Sequence, residues 1–454
     1  MDWHPYRSML LLRVRSLANR LGESLLIIPA VMVLGAVLLE LTVSRLDRIL
    51  EPRSLPGFLR LSSEATVQLL STIAGATITT VGVVFSLLVV SMQLASGQFS
   101  PRVLHTFFRE RLGKVVVGLL TAVFTYCVLA LRALPENLES TPTAVPHLTV
   151  DVAVLLTLVS VIALVLYLHR IARRQYVGSI IASITEETVG QVDAICRMRR
   201  HLPPREPPDV SGLGPPLVVS AQVSGWVQQV NTTGLLAAIP PGSVLRLETR
   251  VGAFLAKGIP LATLWPRPPR GETVGRAIQA SLAVGDRRTT RQDVDFGLRQ
   301  LSDIALRSLS PAVNDPTTAI EVVVRMATIL RPLLLTELPP QVRVADNGSV
   351  LLQPWDLDHA EYVRHAFEQL RVYAAPHPQV AIALVRSLRM LWEAVEGADR
   401  LGTQRELERQ LDLTLQGCER APLLPADLEA VREAAMHAQN PLRQLAPPNA
   451  PVVH

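Results

Sequence analysis

Four long apolar stretches occupy the first 170 residues, and they constrain the fold more than any other feature. They cover residues 25–41, 67–95, 115–134 and 148–168. A helix needs about 20 apolar residues to cross a hydrocarbon core of ~30 Å. Hydrophobic residues make up 49% of the chain but aromatic residues only 4%, which is too apolar a mixture for an ordinary soluble enzyme. The sequence therefore predicts an α-helical transmembrane bundle with four spans, residues 1–175, joined to a more polar region.

Basic residues flank these stretches asymmetrically and indicate an orientation. Lys and Arg collect on the cytoplasmic side of membrane proteins. They are frequent before the first span, between the second and third, and after the fourth, at Arg7, Arg13, Arg15, Arg20, Arg102, Arg109, Arg111, Lys114, Arg170, Arg173 and Arg174. The first loop, with four arginines, departs from this pattern. The best fit places both termini in the cytoplasm, and it assigns the net charge of +5 to membrane topology rather than to nucleic-acid binding.

The second span carries small and weakly polar residues at a seven-residue repeat. Seven residues are nearly two helical turns, so the set forms one slowly drifting stripe. Its members are Thr72, Gly75, Thr79, Gly82, Ser86 and Gln93. Two interpretations stay open, because small residues allow close helix packing and a weakly polar stripe is also suited to line a pore. An oligomer would satisfy both interpretations.

Charged residues are not expected deep inside any of the four spans. A proton relay or a charge-coupled transporter normally needs such a residue. This expectation disfavours those classes relative to a channel.

The polar region divides by composition into three parts. Residues 176–216 contain a polar helix and a Pro-rich linker, residues 217–266 have short strand-like runs, and residues 271–445 are mainly helical. The stretch RVGAFLAKGIPLATLW resembles a hairpin of biotinyl- and lipoyl-type domains, although the turn near Asn231–Gly234 has no lysine for a covalent carrier. The prediction is a cytoplasmic α+β region with a small β-barrel-like module and a helical domain.

An ion ladder is expected on the helix that follows residue 290. Asp295, Arg299, Asp303 and Arg307 recur at intervals of four residues, so they share one side of a helix. The pattern is typical of a solvated helix face, and the alternative is a buried polar network at a subunit contact.

The stretch LSPAVNDPTTA predicts a corner between two helices. Asp315 is placed to cap the second helix and Pro316 to occupy its first position. The amides at this helix start, with Asn314, Thr317 and Thr318, form a candidate binding corner for a small anion. The alternative is a capped corner in which these residues satisfy only one another.

The same stretch carries a family resemblance. FGLRQLSDIALRSLSPAVNDPTTAI resembles the signature of a bacterial family of predicted integral membrane proteins of unknown function, and the likeness extends to GVVFSLLVVSMQLASGQFSPRVL and HAFEQLRVYAAPHPQVAIALVRSL. The resemblance covers about residues 65–395. It implies a multi-pass protein of the bacterial inner membrane with a soluble C-terminal region, and it implies no catalytic residues.

Enzyme chemistry has no positive support in the sequence. The three cysteines have no metal-ligand spacing, and the phosphate-binding and nucleophile motifs of common enzyme classes are missing. Asp358, His359, Glu361 and His365 are close in sequence, but an ordinary polar helix side explains them better than a metal site. We therefore expect no metal, no cofactor and no enzymatic activity.

Two functional hypotheses follow. The first is a gated ion channel, or a channel-like oligomeric assembly, controlled by the cytoplasmic region. The alternative is a membrane-anchored ligand sensor or scaffold without transport activity. The expected partners are the lipid bilayer, further copies of the chain, and a small anion or other ion.

Overall fold

The computed structural model describes residues 26–49, 63–98, 111–134, 147–174, 177–199, 206–396 and 400–436. The chain forms two compact units, residues 17–176 and the remainder. We call the described helices of the first unit the N-terminal helices. We call residues 177–436, as described, the C-terminal region.

The N-terminal helices are α1 (Ile27–Ile49), α2 (Ser63–Gln98), α3 (Arg111–Ala133) and α4 (His147–Arg174). Each is long and apolar enough to cross a membrane, which confirms the four predicted spans. Helix α3 packs against the other three, and half of its most apolar window is buried, compared with about a fifth in each of the others. The remaining apolar surface faces outward, as expected where lipid is the solvent.

Close approach of α1 and α3 depends on a glycine. A Cβ at Gly118 would lie 2.8 Å from the Met32 sulfur and 3.0 Å from the Pro29 Cα. Pro29, which the sequence places near the start of the first span, therefore packs directly against α3. Small residues at such contacts let helix backbones approach in a membrane.

Helix α1 extends well beyond the predicted window of residues 25–41. Its span reaches Asp47, so Glu40 lies inside the span, and its side chain is buried. The expectation that charged residues avoid the interior of the spans is therefore wrong at Glu40. The Asp47 carboxylate accepts hydrogen bonds from the Leu148 and Thr149 amides at the start of α4, at 3.1 and 2.9 Å. A carboxylate suits this place because the amides of a helix start lack partners within the helix.

The C-terminal region begins with α5 (Val177–Arg199), which packs against two later helices rather than extending as a spacer. Residues 206–216 carry no regular structure except turns, and Val210 and Leu213 pack against strand residues. The Pro-rich segment therefore ends on the surface of the strand-containing part.

The described residues contain eight strands, which form two open sheets. They are β1 (Leu217–Ser220), β2 (Gly225–Val230), β3 (Val244–Leu247), β4 (Phe254–Leu255), β5 (Pro260–Trp265), β6 (Leu282–Gly285), β7 (Val342–Val344) and β8 (Val350–Leu352). The sheet orders are β1-β5-β3-β8-β7 and β4-β2-β6. All pairs are antiparallel except β3 with β8, which is parallel.

The two sheets share one apolar core, to which α6 (Thr232–Ala238) and α7 (Gly271–Ala280) contribute Leu235 and Ile278. The described strands do not close into a barrel, so the barrel-like module is not observed. Three of the eight strands, β6 to β8, come from residues that the sequence assigns to the helical part, because short strands paired over long sequence distances leave no local pattern.

The remaining helices are α8 (Val294–Ser308), α9 (Pro316–Leu335), α10 (His359–Ala374), α11 (Pro378–Val395), α12 (Leu401–Arg420) and α13 (Pro425–Met436). Helices α8 and α9 pack against each other and against α5, while α10 and α11 pack against α12. Gly297 on α8 directly contacts Thr188 on α5, where a Cβ would overlap the threonine side chain.

Candidate functional site

The stripe on α2 faces away from the other N-terminal helices. All six of its residues are exposed, and a Cβ at Gly75 or Gly82 would meet nothing within 4 Å. The opposite side of α2 buries Leu70, Ile73 and Val84 in the bundle. Packing within one copy of the bundle therefore does not use the stripe.

The hydroxyl groups of the stripe threonines have local partners. Thr72 donates to the Gln68 carbonyl at 2.7 Å and Thr79 to the Gly75 carbonyl at 2.8 Å. A hydroxyl satisfied by its own helix can face lipid or another helix without a further acceptor. The stripe thus presents small, uncharged groups outward.

At the corner around Asp315, the start of α9 is capped by the Asp315 side chain itself. Asp315 accepts hydrogen bonds from the Thr318 amide at 3.1 Å and from the Thr318 hydroxyl at 2.5 Å, and Pro316 opens α9. Its carboxylate thus lies where an anion would bind to this helix start. Thr317 is exposed and has no role in the cap.

Asn314 occupies a left-handed conformation, with φ of 47°. Its amide donates to the Ser310 carbonyl at 2.9 Å, and the Asp315 amide donates to the Ser308 carbonyl at 2.7 Å. Asparagine adopts this conformation more readily than most residues. The local turn therefore explains why an asparagine precedes Asp315.

The ion ladder on α8 forms a buried network at its first member. Asp295 is 1% exposed, and its carboxylate lies 2.9 Å from Arg299 Nε and 2.6 Å from Arg288 Nη2. The other carboxylate oxygen lies 2.8 Å from His365 Nδ1 on α10. A solvated helix face is therefore wrong for Asp295, and the network lies within one chain. Asp303 is half-buried and Arg307 is exposed on the same helix.

Ion pairing dominates the chemistry of this network. Burial by itself would raise the pKa of the Asp295 carboxyl, but hydrogen bonds from His365 and Arg288, with the charges of Arg288 and Arg299, hold that pKa well below its usual range. Arg288 also binds Asp293, the N-cap of α8, at 2.6 Å. Gly252, in the turn before β4, lies directly against this Arg288–Asp293 pair. The network thus joins a strand turn, α8 and α10.

Asp356 is a second carboxyl group of the C-terminal region whose pKa is shifted, but in the opposite direction. Burial raises the pKa of its carboxyl to about 6, and the charges of Arg343 and Arg250 only partly oppose this. Burial also lowers the pKa of Arg343, which donates to the Thr232 hydroxyl at 3.3 Å. Asp356 is thus a carboxyl group that is easier to protonate than Asp295.

The residues considered for a metal are separated by the structure. His365 points to Asp295, whereas His359 Nε2 lies 2.8 Å from the Thr336 carbonyl and 2.6 Å from Arg400 Nη1. Asp358 and Glu361 form a capping box at the start of α10. Within the described residues, no three His, Cys, Asp or Glu side chains are grouped so as to hold a metal ion.

A shallow pocket of about 210 Å³ opens where α10 and α12 begin. Its lining consists of Asp358, His359, Ala360, Arg400, Gly402 and Thr403. Burial and the positive charge of Arg400 lower the pKa of His359, although hydrogen bonds to the Thr336 and Leu333 carbonyls oppose this. Sequence reasoning named Asp358 and His359 but missed Arg400 and Thr403, because the pocket depends on two helices meeting.

Four apolar helices followed by a folded polar region define an integral membrane protein. Residues 22–390 match the family described as "Predicted membrane protein (DUF2254)". The chain belongs to this family.

Similar proteins occur in mycobacteria. An uncharacterized protein of Mycobacterium bovis and one of Mycobacterium tuberculosis strain H37Rv are each 32% identical to this chain over 393 residues, which is 83% of this chain and 73% of each relative. No solved structure is significantly similar to the chain.

Proposed function

We propose that this protein spans the bacterial inner membrane with both termini in the cytoplasm. We further propose that its copies associate through the α2 stripe into a channel-like assembly, which the C-terminal region controls. One observation supports the association: the six stripe residues all face outward, although α2 buries its opposite side against the bundle. The proposal includes no enzymatic activity and no nucleic-acid partner.

Close packing is the physical basis for association through this stripe. Lipid tails are as apolar as leucine, so helices in a bilayer associate through close backbone approach and van der Waals contact. Gly75 and Gly82 offer a flat surface for such an approach, whereas Ile78, Val83 and Phe85 are exposed large side chains nearby on α2. A path lined by Thr79 and Ser86 from several copies would be weakly polar and uncharged, because Glu40 lies on α1 and not on the stripe.

The stripe glycines allow association to be tested without disturbing a single copy. Gly75→Leu/Gly82→Leu adds side chains where nothing lies within 4 Å, so the fold of one copy should be unaffected. Gly35→Leu on α1 is the matched control, because Gly35 is equally open and lies outside the stripe. Mass photometry of the purified full-length chain should show an oligomer for the wild type and the Gly35 variant, and a monomer for the stripe variant. A monomeric wild type would overturn the proposal.

Conduction is tested separately from association. Purified full-length protein in liposomes should support ion flux, and Thr79→Leu/Ser86→Leu should abolish this flux while the variant still assembles. If the wild type assembles but passes no ions under any voltage or ionic condition, the stripe is a packing surface and the channel proposal fails.

The second candidate function is that of a membrane-anchored ligand sensor or scaffold without transport activity. The pocket at the start of α10 and α12 favours it, because this pocket combines a guanidinium and an imidazole with an opening to solvent. The corner at Asp315 favours it less, since the Asp315 carboxylate already satisfies the helix start. Ligand binding by a protein that conducts no ions would support this candidate over the channel.

A further inference from the structure

The pocket between α10 and α12 lies at the N-termini of both helices, and these two N-termini are capped differently. Helix α10 begins with a capping box, in which Asp358 accepts from the Glu361 amide at 2.7 Å and Glu361 accepts from the Asp358 amide at 2.9 Å. Helix α12 begins at Leu401 with Arg400 as its N-cap residue, and the Arg400 side chain makes no cap hydrogen bond. Arginine cannot accept a hydrogen bond from the amides of the first turn, whereas the usual N-cap residues can.

The uncapped start of α12 favours a negatively charged group. The first amides of a helix have no intrahelical acceptor, and the helix dipole adds partial positive charge at the same end. Helix α12 is 20 residues long, and its residues Gly402 and Thr403 line the pocket. The guanidinium of Arg400 brings a full positive charge to this place.

Thr403 supplies an independent indication of a ligand. Its side chain is 4% exposed and lines the pocket, yet its hydroxyl makes no hydrogen bond with any of the described residues. The hydroxyl oxygen is not fully enclosed, so it remains accessible to solvent although the rest of the residue is buried, and a ligand in the pocket would replace that solvent contact. Thr414, three turns along α12, is equally buried and donates to the Gln410 carbonyl at 2.7 Å. The difference marks Thr403 as a donor directed into the pocket.

The other groups of the pocket are held in place. The Thr336 carbonyl at the end of α9 lies 3.0 Å from Arg400 Nη1 and 2.8 Å from His359 Nε2, so one backbone oxygen orients both side chains. Asp358 is the acidic member of the lining, but its carboxylate is engaged by the Glu361 amide. The positive groups therefore lie on the α12 side of the pocket and the acidic group on the α10 side.

We propose that this pocket binds the phosphate group of a soluble small molecule, held by the Arg400 guanidinium, the Thr403 hydroxyl and the amides at the start of α12. A guanidinium offers paired donors that match phosphate oxygens. The volume of about 210 Å³ and the open mouth leave the rest of the molecule outside. The inference names a ligand class for the sensor candidate, and it holds whether or not α2 mediates assembly.

The test uses full-length protein purified in a detergent without phosphate. Isothermal titration calorimetry with inorganic phosphate, at an ionic strength held constant with chloride, should show saturable binding. Thr403→Val keeps the shape of the side chain and removes the hydroxyl, so we expect about a tenfold loss of affinity, the usual scale for a hydrogen bond to a charged group. Thr414→Val on the same helix should bind phosphate as the wild type does. The Tm from tryptophan fluorescence confirms that both variants are folded.

A second readout distinguishes the pocket from other sites on the protein. A bound anion would offset the charge of Arg400, so phosphate should raise the pKa of His359 in an NMR titration of the imidazole. No binding above the chloride background would overturn the inference, as would equal affinities of the two threonine variants. If phosphatidic acid in nanodiscs binds and displaces phosphate from the site at Thr403, the ligand is a lipid headgroup. That outcome would overturn the proposal of a soluble ligand. Mass photometry of the same samples shows assembly separately, so failure here is distinguishable from failure of the channel proposal.

Discussion

The stripe on α2, among the N-terminal helices, and the Asp295 network, in the C-terminal region, accommodate polar groups in opposite ways. On α2, the stripe hydroxyls bond to their own helix and face outward, and the uncharged stripe remains outside the packed core. In the C-terminal region, the Asp295 carboxylate is almost completely buried and is held by Arg288, Arg299 and His365. Hydroxyl groups that face lipid need acceptors within their own helix, whereas a water-soluble core can enclose charges that are paired.

Because of this contrast, an exposed side chain indicates different things in the two regions. Exposed leucine and valine side chains are frequent on α1 and α4, as lipid contact requires, and they need no partner protein. The exposed, weakly polar stripe on α2 is the unusual feature of the N-terminal helices. In the C-terminal region the buried charges are the unusual feature.

Loss of the Asp295 carboxylate should have the largest effect. Asp295→Ala leaves Arg288 and His365 without their central partner, and breaking a buried ion pair typically costs about 3–5 kcal/mol. Tryptophan fluorescence during thermal unfolding reports on this region, because four of the five tryptophans, at 226, 265, 355 and 392, lie in it. Glu393→Gln, which breaks the exposed Arg389–Glu393 pair, is the control and should cost less than about 1 kcal/mol. Equal losses in the two variants would show that the network is not buried in solution.

Asp356 should make stability fall as the pH rises. The unfolded carboxyl loses its proton near its ordinary pKa, whereas the folded carboxyl keeps it up to about 6. Folding is therefore penalised progressively between these two values, by about 3 kcal/mol at neutral pH. Asp356→Asn should be more stable than the wild type at pH 7.5, and the two curves should converge near pH 3.5. A difference that does not vary with pH would contradict the partly buried position of Asp356.

Gly297→Ala should test whether α5 belongs to the C-terminal region. The added methyl group would overlap Thr188 on α5, and overpacking of this kind costs about 1–3 kcal/mol. Thr188→Ala in the same chain should restore part of the loss, because neighbouring substitutions are not additive when they share a contact. Additive effects in the double variant, measured by thermal unfolding, would place α5 away from α8.

Asp315→Ala should have the smallest effect of the four. Loss of an N-cap typically costs about 1 kcal/mol. Asn314→Gly is the matched control and should be nearly neutral, since glycine adopts the left-handed conformation without strain. If Asp315→Ala instead leaves stability unchanged but removes binding of a small anion, the corner is a binding site rather than a structural cap.

The sequence was most informative where one local pattern decides the structure. Apolar length predicted the four spans, and the Asp315–Pro316 pair predicted the start of α9. Contacts over long sequence distances could not be predicted in this way. The β7–β8 hairpin joins β3 about a hundred residues away, and the burial of Asp295 depends on Arg288 and His365 arriving from other segments.

The candidate sites show the same division. The stripe was visible because a helix converts a seven-residue repeat into one face, while its outward direction depends on where α3 packs. The pocket could not be predicted from the sequence, because Arg400 and Thr403 form a site only where the fold brings them beside His359. No local motif links these three residues.

The central position of α3 has a consequence for biosynthesis. Translation proceeds from the N-terminus, so α1 and α2 enter the bilayer before the helix against which both pack has been made. Until α3 emerges from the ribosome, Gly118 is absent and the surfaces of Pro29 and Met32 must be covered by lipid or by the insertion machinery. The buried Glu40 crosses into the membrane during the same interval. The bundle can therefore assemble only after α3 has been made. If translation stalled before residue 111, α1 and α2 would remain in the bilayer without the helix against which they pack.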